Sequence, residues 1–416
     1  MSEVTLIRRE KKGKGGRELL RRHRPDYLLV IFMVVLMMIG LIVLYAIGPA
    51  LPQSYEVNRQ FFFLFVGVAA FLFASRFSIQ IMLQLATVLL VVAVVISITM
   101  TFLGALPGSP LVLCYNGACR WYDFSLFSFQ PAELLKLALL LYLAVFLAAR
   151  SRAGKLQNIK ETLLPVGIIV GLLTFLVIIL QKDMGTGIVI IAIALSMLFA
   201  AQVKARYLLL SSTAVIGVAL LLIITSPHRI ARVLTFLNHD AATDAATYHI
   251  QQALIAIGSG GFFGQGLAQS VQAFGYLPEA ANDSIFAIVA EKFGFIGTIA
   301  VLCLFAALLY RIILIFDRSE KLEFRLIIGG ITGWVGAHIV VNIGAMLGLI
   351  PLTGITLPFL SFGGTSLIFI MLIMGLAFQI SRYTVYKRSN QGDADENRRS
   401  GRRVWRSRDA SLSRYQ

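Results

Sequence analysis

Residues 278–294 read PEAANDSIFAIVAEKFG, and they open an apolar run that continues to residue 315. A polar, Gly-punctuated segment passes here straight into a long apolar helix. Asp283 stands at the mouth of that helix, and Glu291 two turns inside it. A charge at or within a membrane segment is costly, so each acid is a candidate functional residue. What this mouth does depends on how many such helices the chain holds and on the side to which they open.

Of 416 residues, 58% are hydrophobic and 14% charged. Soluble domains sit nearer 45–50% and about 25%. Length alone would suggest two or three soluble domains, but the repeated apolar runs say one polytopic membrane domain. The basic start is followed by an apolar run too long for a signal-peptide core, with no small-residue cleavage site after it, so no cleavable signal is expected. The net charge of +16 gathers at the two ends. It fits Lys and Arg held on the cytoplasmic side against acidic headgroups better than nucleic acid. Three cysteines are too few for a disulfide framework or a metal finger.

A hydrocarbon core of about 30 Å takes roughly 20 apolar residues per helix. That template predicts an all-α protein of ten spans, at 27–48, 59–75, 79–104, 132–149, 163–181, 186–202, 207–226, 284–315, 326–350 and 364–386. Basic tails at 1–26 and 387–416 flank the membrane domain 27–386. Arg76, the Arg150–Lys160 turn, Lys204 with Arg206, and the Arg311–Arg325 turn all fall on the side of both tails. The positive-inside rule therefore favours ten spans with both termini cytoplasmic. Asp283 then lies at the end of a large outer loop, 227–283, between the seventh and eighth spans. Residues 350–366, IPLTGITLPFLSFGGTS, are too apolar for a solvated loop and too broken for a helix. Such backbone is tolerated at membrane depth only where protein or a water-filled cavity satisfies it, so a partly re-entrant path is expected.

Each chemistry-bearing residue has a bland reading beside its functional one. Asp283 suits an N-cap as well as a general base. Glu291, about 12 Å further along the helix, is expected to pair with a basic residue on another helix. Gln130, Pro131 and Glu133 open the fourth span. Glu133 and Lys136, at i and i+3, form an ion pair or leave Lys136 to an anionic headgroup. Asp183, in the turn QKDMGTG, satisfies its own turn or joins a site. Arg229 and Arg232 lie outside against the charge trend, fitted either to phosphate or to snorkelling. The segment GSGGFFGQG lacks the Lys and Ser/Thr of a nucleotide loop, so close packing or a tight turn explains its glycines better. Tyr248–Ile257 is amphipathic and fits an interfacial helix. The histidines show no metal-ligand spacing. Cys114 and Cys119 share an outer loop and are open to two readings, a bridge or two free thiols. Glu133, Lys136, Asp183, Asp283, the two arginines and the broken loop 351–366 nonetheless all fall on or near the outer side.

Seven stretches in register resemble one family, the SEDS proteins of FtsW, RodA and SpoVE type. They are NGACRW at 116–121, FSFQPAELLKLA at 127–138, QKDMGT at 181–186, RVLTFLN at 232–238, QQALIAIGSGGFFGQGL at 251–267, GYLPEAANDSIFAIVAEKFGFIG at 275–297 and NIGAMLGLIPLTGITLPFLSFGGTSLI at 342–368. The resemblance spans the membrane domain and leans to the division member of the family. It implies a ten-helix peptidoglycan glycosyltransferase of the bacterial cytoplasmic membrane. The implied substrate is lipid II, polymerised on the outer face, and the implied partners are a class B penicillin-binding protein and the divisome or elongasome. Its essential acid falls on Asp283, as general base. Candidate substrate contacts are Lys136, Arg229, Arg232, Ser361 and Thr365. Supporting residues are Gln130, Glu133, Asp183, Gln252 and Glu291. A divalent cation such as Mg2+ is compatible with the chemistry, but the sequence shows no ligand set. Ser284, Lys182 and Lys292 depart from the family pattern. A lipid II flippase and a non-catalytic scaffold are the rival readings, and the gathering of charge at one face argues against a polar path for transport.

Overall fold

The computed structural model describes residues 24–50, 57–106, 111–115, 118–124, 127–224 and 245–384. The order is α1 (Tyr27–Ile47), α2 (Val57–Arg76), α3 (Ile79–Gln84), α4 (Ala86–Ala105), β1 (Val112–Tyr115), β2 (Ala118–Asp123) and β3 (Ser128–Phe129). Then come α5 (Pro131–Arg152), α6 (Ile159–Leu180), α7 (Met184–Ala200), α8 (Ala205–Ile224) and α9 (Ala245–Ser259). The last are α10 (Ile285–Arg318), α11 (Leu322–Met346) and α12 (Gly364–Ile380). Among the described residues, eight helices are long and apolar enough to cross a membrane. The fold is that of a multi-pass membrane protein. α7, at 17 residues, is shorter.

Local chemistry sets the helix ends. Asp26 accepts from the Leu28 and Leu29 amides and starts α1, a side-chain cap of the usual kind. Pro131 at the start of α5 and Glu133 in its first turn suit a helix N-terminus, with Arg150 and Arg152 at the opposite end. Three spans differ in detail from the periodicity. The third bends at Leu85, which separates α3 from α4. The ninth ends at Met346 rather than 350, because Gly348 turns the chain at a φ of 67°. The eighth is not one helix, as described below.

α5, α11 and α12 run through the centre and are mostly buried, whereas α4 turns most of its apolar surface outward. Outward-facing Phe65, Val88 and Phe102 are what lipid requires in place of a polar coat. Close helix contact comes from small residues: a Cβ at Gly375 would stand 2.5 Å from the Phe71 carbonyl, and one at Gly333 2.7 Å from that of Ala192. The three strands form one small antiparallel sheet, ordered β1-β2-β3. Cys114 and Cys119 pair across its first hairpin and are joined as a disulfide, which closes the question the spacing leaves open.

Candidate active site

The turn before α10 is built on Glu279. Its backbone takes a φ of 50°, and its carbonyl accepts from the amides of Asn282 (2.9 Å) and Ser284 (3.2 Å). Ser284, at the capping position, makes no side-chain cap. Its hydroxyl donates to the Pro278 carbonyl at 2.8 Å and meets His249 Nε2, on α9, at 2.6 Å. Burial lowers the His249 pKa to about 4, against the opposing pull of the Glu279 carboxylate, so the neutral ring donates to Ser284.

Asp283 is buried, and its Oδ1 has no hydrogen-bond partner among the described residues. Burial pushes its pKa up to about 7, the Glu279 charge adds to that, and the Asp283 and Ser284 amides and the Ser284 hydroxyl oppose it. A capping carboxylate is held ionised and moves the other way. Burial and the Glu279 charge together favour the protonated form of Asp283 over that of a solvated carboxyl group.

The broken loop holds this acid in place. Asn342 Nδ2, on α11, donates to the carbonyls of Asp283 and Ile355, both at 2.7 Å. Ser361 donates to the Asn282 carbonyl at 2.6 Å and accepts from the Leu357 amide at 2.8 Å, while the Phe362 amide reaches Ala281 at 2.8 Å. The Ser361 hydroxyl is therefore committed on both sides. One turn earlier on α11, His338 Nδ1 donates to the Thr356 carbonyl at 3.0 Å, which leaves Nε2 to accept from Lys136 Nζ at 3.2 Å. Lys136 also donates to Glu133 at 2.8 Å and lies 4.8 Å from the Trp334 ring centre. His338 and Asn342, four residues apart, share a helix face. A single turn of α11 thus links the buried Lys136 to the backbone of Asp283.

The glycines do a different job. α10 is broken at Gly294 (φ 65°, ψ −165°), a conformation open to glycine. The break frees backbone groups, and GSGGFFGQG satisfies them. The Gln265 and Gly266 amides donate to the Glu291 and Lys292 carbonyls, and the Phe295 amide donates to Gly261. A Cβ at Gly260 would stand 2.1 Å from the Ala290 carbonyl oxygen. Among the described residues, Glu291 does not pair with a basic residue. Its carboxylate accepts from the Ser270 hydroxyl (2.6 Å) and the Val271 and Gln272 amides (2.9 and 3.1 Å). The loop after the glycines brings these donors to it, so no cation is needed. Lys292 Nζ donates to the Leu267 carbonyl at 2.6 Å.

A second group joins α5, α7 and α12. Gln130 Nε2 donates to Asp183 Oδ2 at 3.1 Å, and the Gln130 amide donates to Thr365 Oγ1 at 3.3 Å. Asp183 caps α7, accepting from the Thr186 amide and hydroxyl. Arg120, on β2, donates to the carbonyls of Gln181 and Lys182, in the turn before that cap. Gln252 sits half-buried on α9. Arg229 and Arg232 lie outside the described residues. His249, His338, Asn342 and Arg120 escape a reading of the sequence, although the four-residue spacing of His338 and Asn342 on an apolar helix was a signal for the pair. Among the described residues, no three His, Cys, Asp or Glu side chains stand together to hold a metal ion.

A family model described as a cell cycle protein, covering FtsW, RodA and SpoVE, matches residues 26–386. Stage V sporulation protein E of Bacillus subtilis is 35% identical over 374 residues, spanning 88% of this chain and 99% of its own. A probable peptidoglycan glycosyltransferase FtsW of Coxiella burnetii is 40% identical over 274 residues, 65% of this chain and 72% of its own. Among solved structures, a chain from a peptidoglycan synthase complex that coordinates polymerization and crosslinking superposes with a TM-score of 0.69. Its identity is 26%, over 86% of this chain and 98% of that one.

Proposed function

The chain belongs to the cell cycle protein family of FtsW, RodA and SpoVE, and we infer from that membership that it is a membrane enzyme that polymerises peptidoglycan. The finer reading we propose has lipid II as substrate and ten spans, with α7 and α8 as the sixth and seventh. Both termini are cytoplasmic, and Asp283 opens to the outer face of the bacterial cytoplasmic membrane. Every buried charged side chain among the described residues (Glu133, Lys136, Asp183, Asp283, Glu291 and Lys292) lies at the Asp283 end of the bundle. That asymmetry supports a reaction at one face over a path for transport.

In the proposed reaction, the 4-hydroxyl of the acceptor sugar attacks the anomeric carbon of the donor. The bond from that carbon to the pyrophosphate breaks, and undecaprenyl pyrophosphate leaves with the electron pair. Asp283 accepts the hydroxyl proton. A base works best with a pKa near the working pH, and the buried Asp283, at about 7, meets that condition. The geometry carries the assignment: Asp283 is buried at the mouth of α10 with an Oδ1 that has no hydrogen-bond partner among the described residues. Asn342, Ser361 and the Phe362 amide position the acid through its neighbouring backbone, and Glu291 positions the loop 265–277 beside it. Arg229 and Arg232 are the proposed partners of the pyrophosphate charge. Lys136 joins them only on leaving Glu133 and His338. A pyrophosphate is a good leaving group without a second acid, in keeping with the single carboxyl group assigned to the chemistry.

The proposed partner is a class B penicillin-binding protein, as expected for a likeness to a synthase complex, and the proposed setting is division. Purified protein with that partner and labelled lipid II tests the assignment. Glycan strands from wild type and none from a folded Asp283→Asn variant are expected. Equal polymerisation by the two would remove Asp283 from the chemistry.

A further inference from the structure

At the end of the bundle opposite Asp283, a cavity of about 330 Å³ opens between the start of α1 and the ends of α10 and α12. About 36 Å of unbroken helix, from Phe295 to Arg318, separates the two ends. Three guanidinium groups line the cavity, from Arg24, Arg311 and Arg318, with one carboxylate, Asp26. Asp26 is fully engaged. One of its oxygens caps α1 and the other accepts from Arg311 Nε and Nη2. That pair neutralises one cation and fixes the Arg311 fork, leaving a net charge of +2 on the lining. Ser381 adds a hydroxyl at the same level, donating to Phe378 and accepting from the Asp26 amide. Apart from Thr384, the remaining wall is apolar, and Tyr27 and Leu28 on it are exposed on the lipid-facing side of α1.

We propose that this cavity binds an anionic phosphate ester, namely the headgroup of an acidic phospholipid whose acyl chains lie along the exposed face of α1. Guanidinium groups bind phosphate oxygens through paired N–H donors. A lone arginine near a helix end simply snorkels. Here three are drawn from two separated stretches of the chain around one cavity, and one of them is held in place by a partly buried carboxylate, Asp26. The apolar wall selects a lipid over free phosphate. The inference is independent of the chemistry at Asp283.

The test uses the full-length protein in nanodiscs of phosphatidylcholine with one-tenth phosphatidylglycerol, followed by native mass spectrometry of the lipids that stay bound. Wild type is expected to retain phosphatidylglycerol in preference to phosphatidylcholine. Arg24→Gln with Arg318→Gln is expected to bind it more weakly by about 25-fold, at roughly fivefold for each surface arginine. Arg311 is left in place so that Asp26 keeps its partner. An unchanged thermal midpoint shows that the variant is folded, and retention by wild type is expected to fall as salt rises. Equal retention by variant and wild type, or no preference over phosphatidylcholine, would overturn the proposal. Displacement of the lipid by millimolar inorganic phosphate would overturn the choice of lipid over free anion.

Discussion

Replacing Asp283 by Asn separates a buried base from a helix cap through the sign of a stability effect. The folded protein holds the Asp283 pKa at about 7, against 3.8 for the free side chain. A pKa raised by folding means that the native state binds the extra proton. The stability this gives is full below about pH 3.8 and is lost as pH rises through about 7. Each unit corresponds to about 1.4 kcal/mol, so the ionised acid costs the folded state about 2 kcal/mol at pH 5 and about 4 kcal/mol at pH 8, as upper bounds. Asn has no proton to lose. Asp283→Asn should therefore gain on wild type steadily between pH 4 and 7, then run parallel above pH 8. Thermal unfolding of both proteins in detergent at pH 5, 6, 7 and 8 measures it. A capping carboxylate gives the opposite trend, because folding then favours the ionised form. If Asp283→Asn loses stability relative to wild type as pH rises, the buried-base reasoning is wrong.

The other predictions follow from the same contacts. Polymerisation by wild type should rise with pH and level off above about 7, as Asp283 loses its proton. Glu279→Gln should move that rise to lower pH, because the Glu279 charge helps hold the proton on; an unmoved profile would separate the titration from Asp283. Glu291→Ala strands the Ser270 hydroxyl and two amides. It should cost about 3 kcal/mol or more, read as a lower unfolding midpoint, while Glu291→Gln, which keeps an acceptor, should cost less. Glu133→Gln leaves the Lys136 cation buried without its carboxylate and should cost about 3–5 kcal/mol, with Glu133→Gln/Lys136→Met recovering most of it. Gly294→Ala forces a Cβ to within 2.2 Å of the Gly264 amide nitrogen, so size-exclusion profiles should show little folded protein.

Hydrophobic run length made most of the fold legible, because a helix in lipid must satisfy its own backbone and cover some 30 Å. The expected spans at 27–48 and 132–149 differ from α1 and α5 by a few residues at most. The broken loop 350–366 was legible as buried irregular backbone, and its carbonyls are met by His338 and Asn342. What escaped depends on contacts between distant stretches. The break at Gly294 lies inside a long, mostly apolar run, and the opposing glycines of 258–266 make it tolerable. For Glu291, the sequence suggests a cation, but the structure supplies backbone amides twenty residues upstream. The apolar periodicity of α11 hides His338 and Asn342, whose polar atoms face inward. Asp283 itself was legible as an acid at a helix mouth. Its direction of titration was not, because burial and the Glu279 charge are properties of the fold.

The most direct measurement is the initial rate of lipid II polymerisation by wild type and Asp283→Asn at pH 8, each purified with its penicillin-binding partner and matched for folded protein. Removing a general base costs about 10²–10⁴-fold. Asp283→Asn is expected to lose at least 100-fold in rate with the thermal midpoint retained or raised. A rate within twofold of wild type would contradict it.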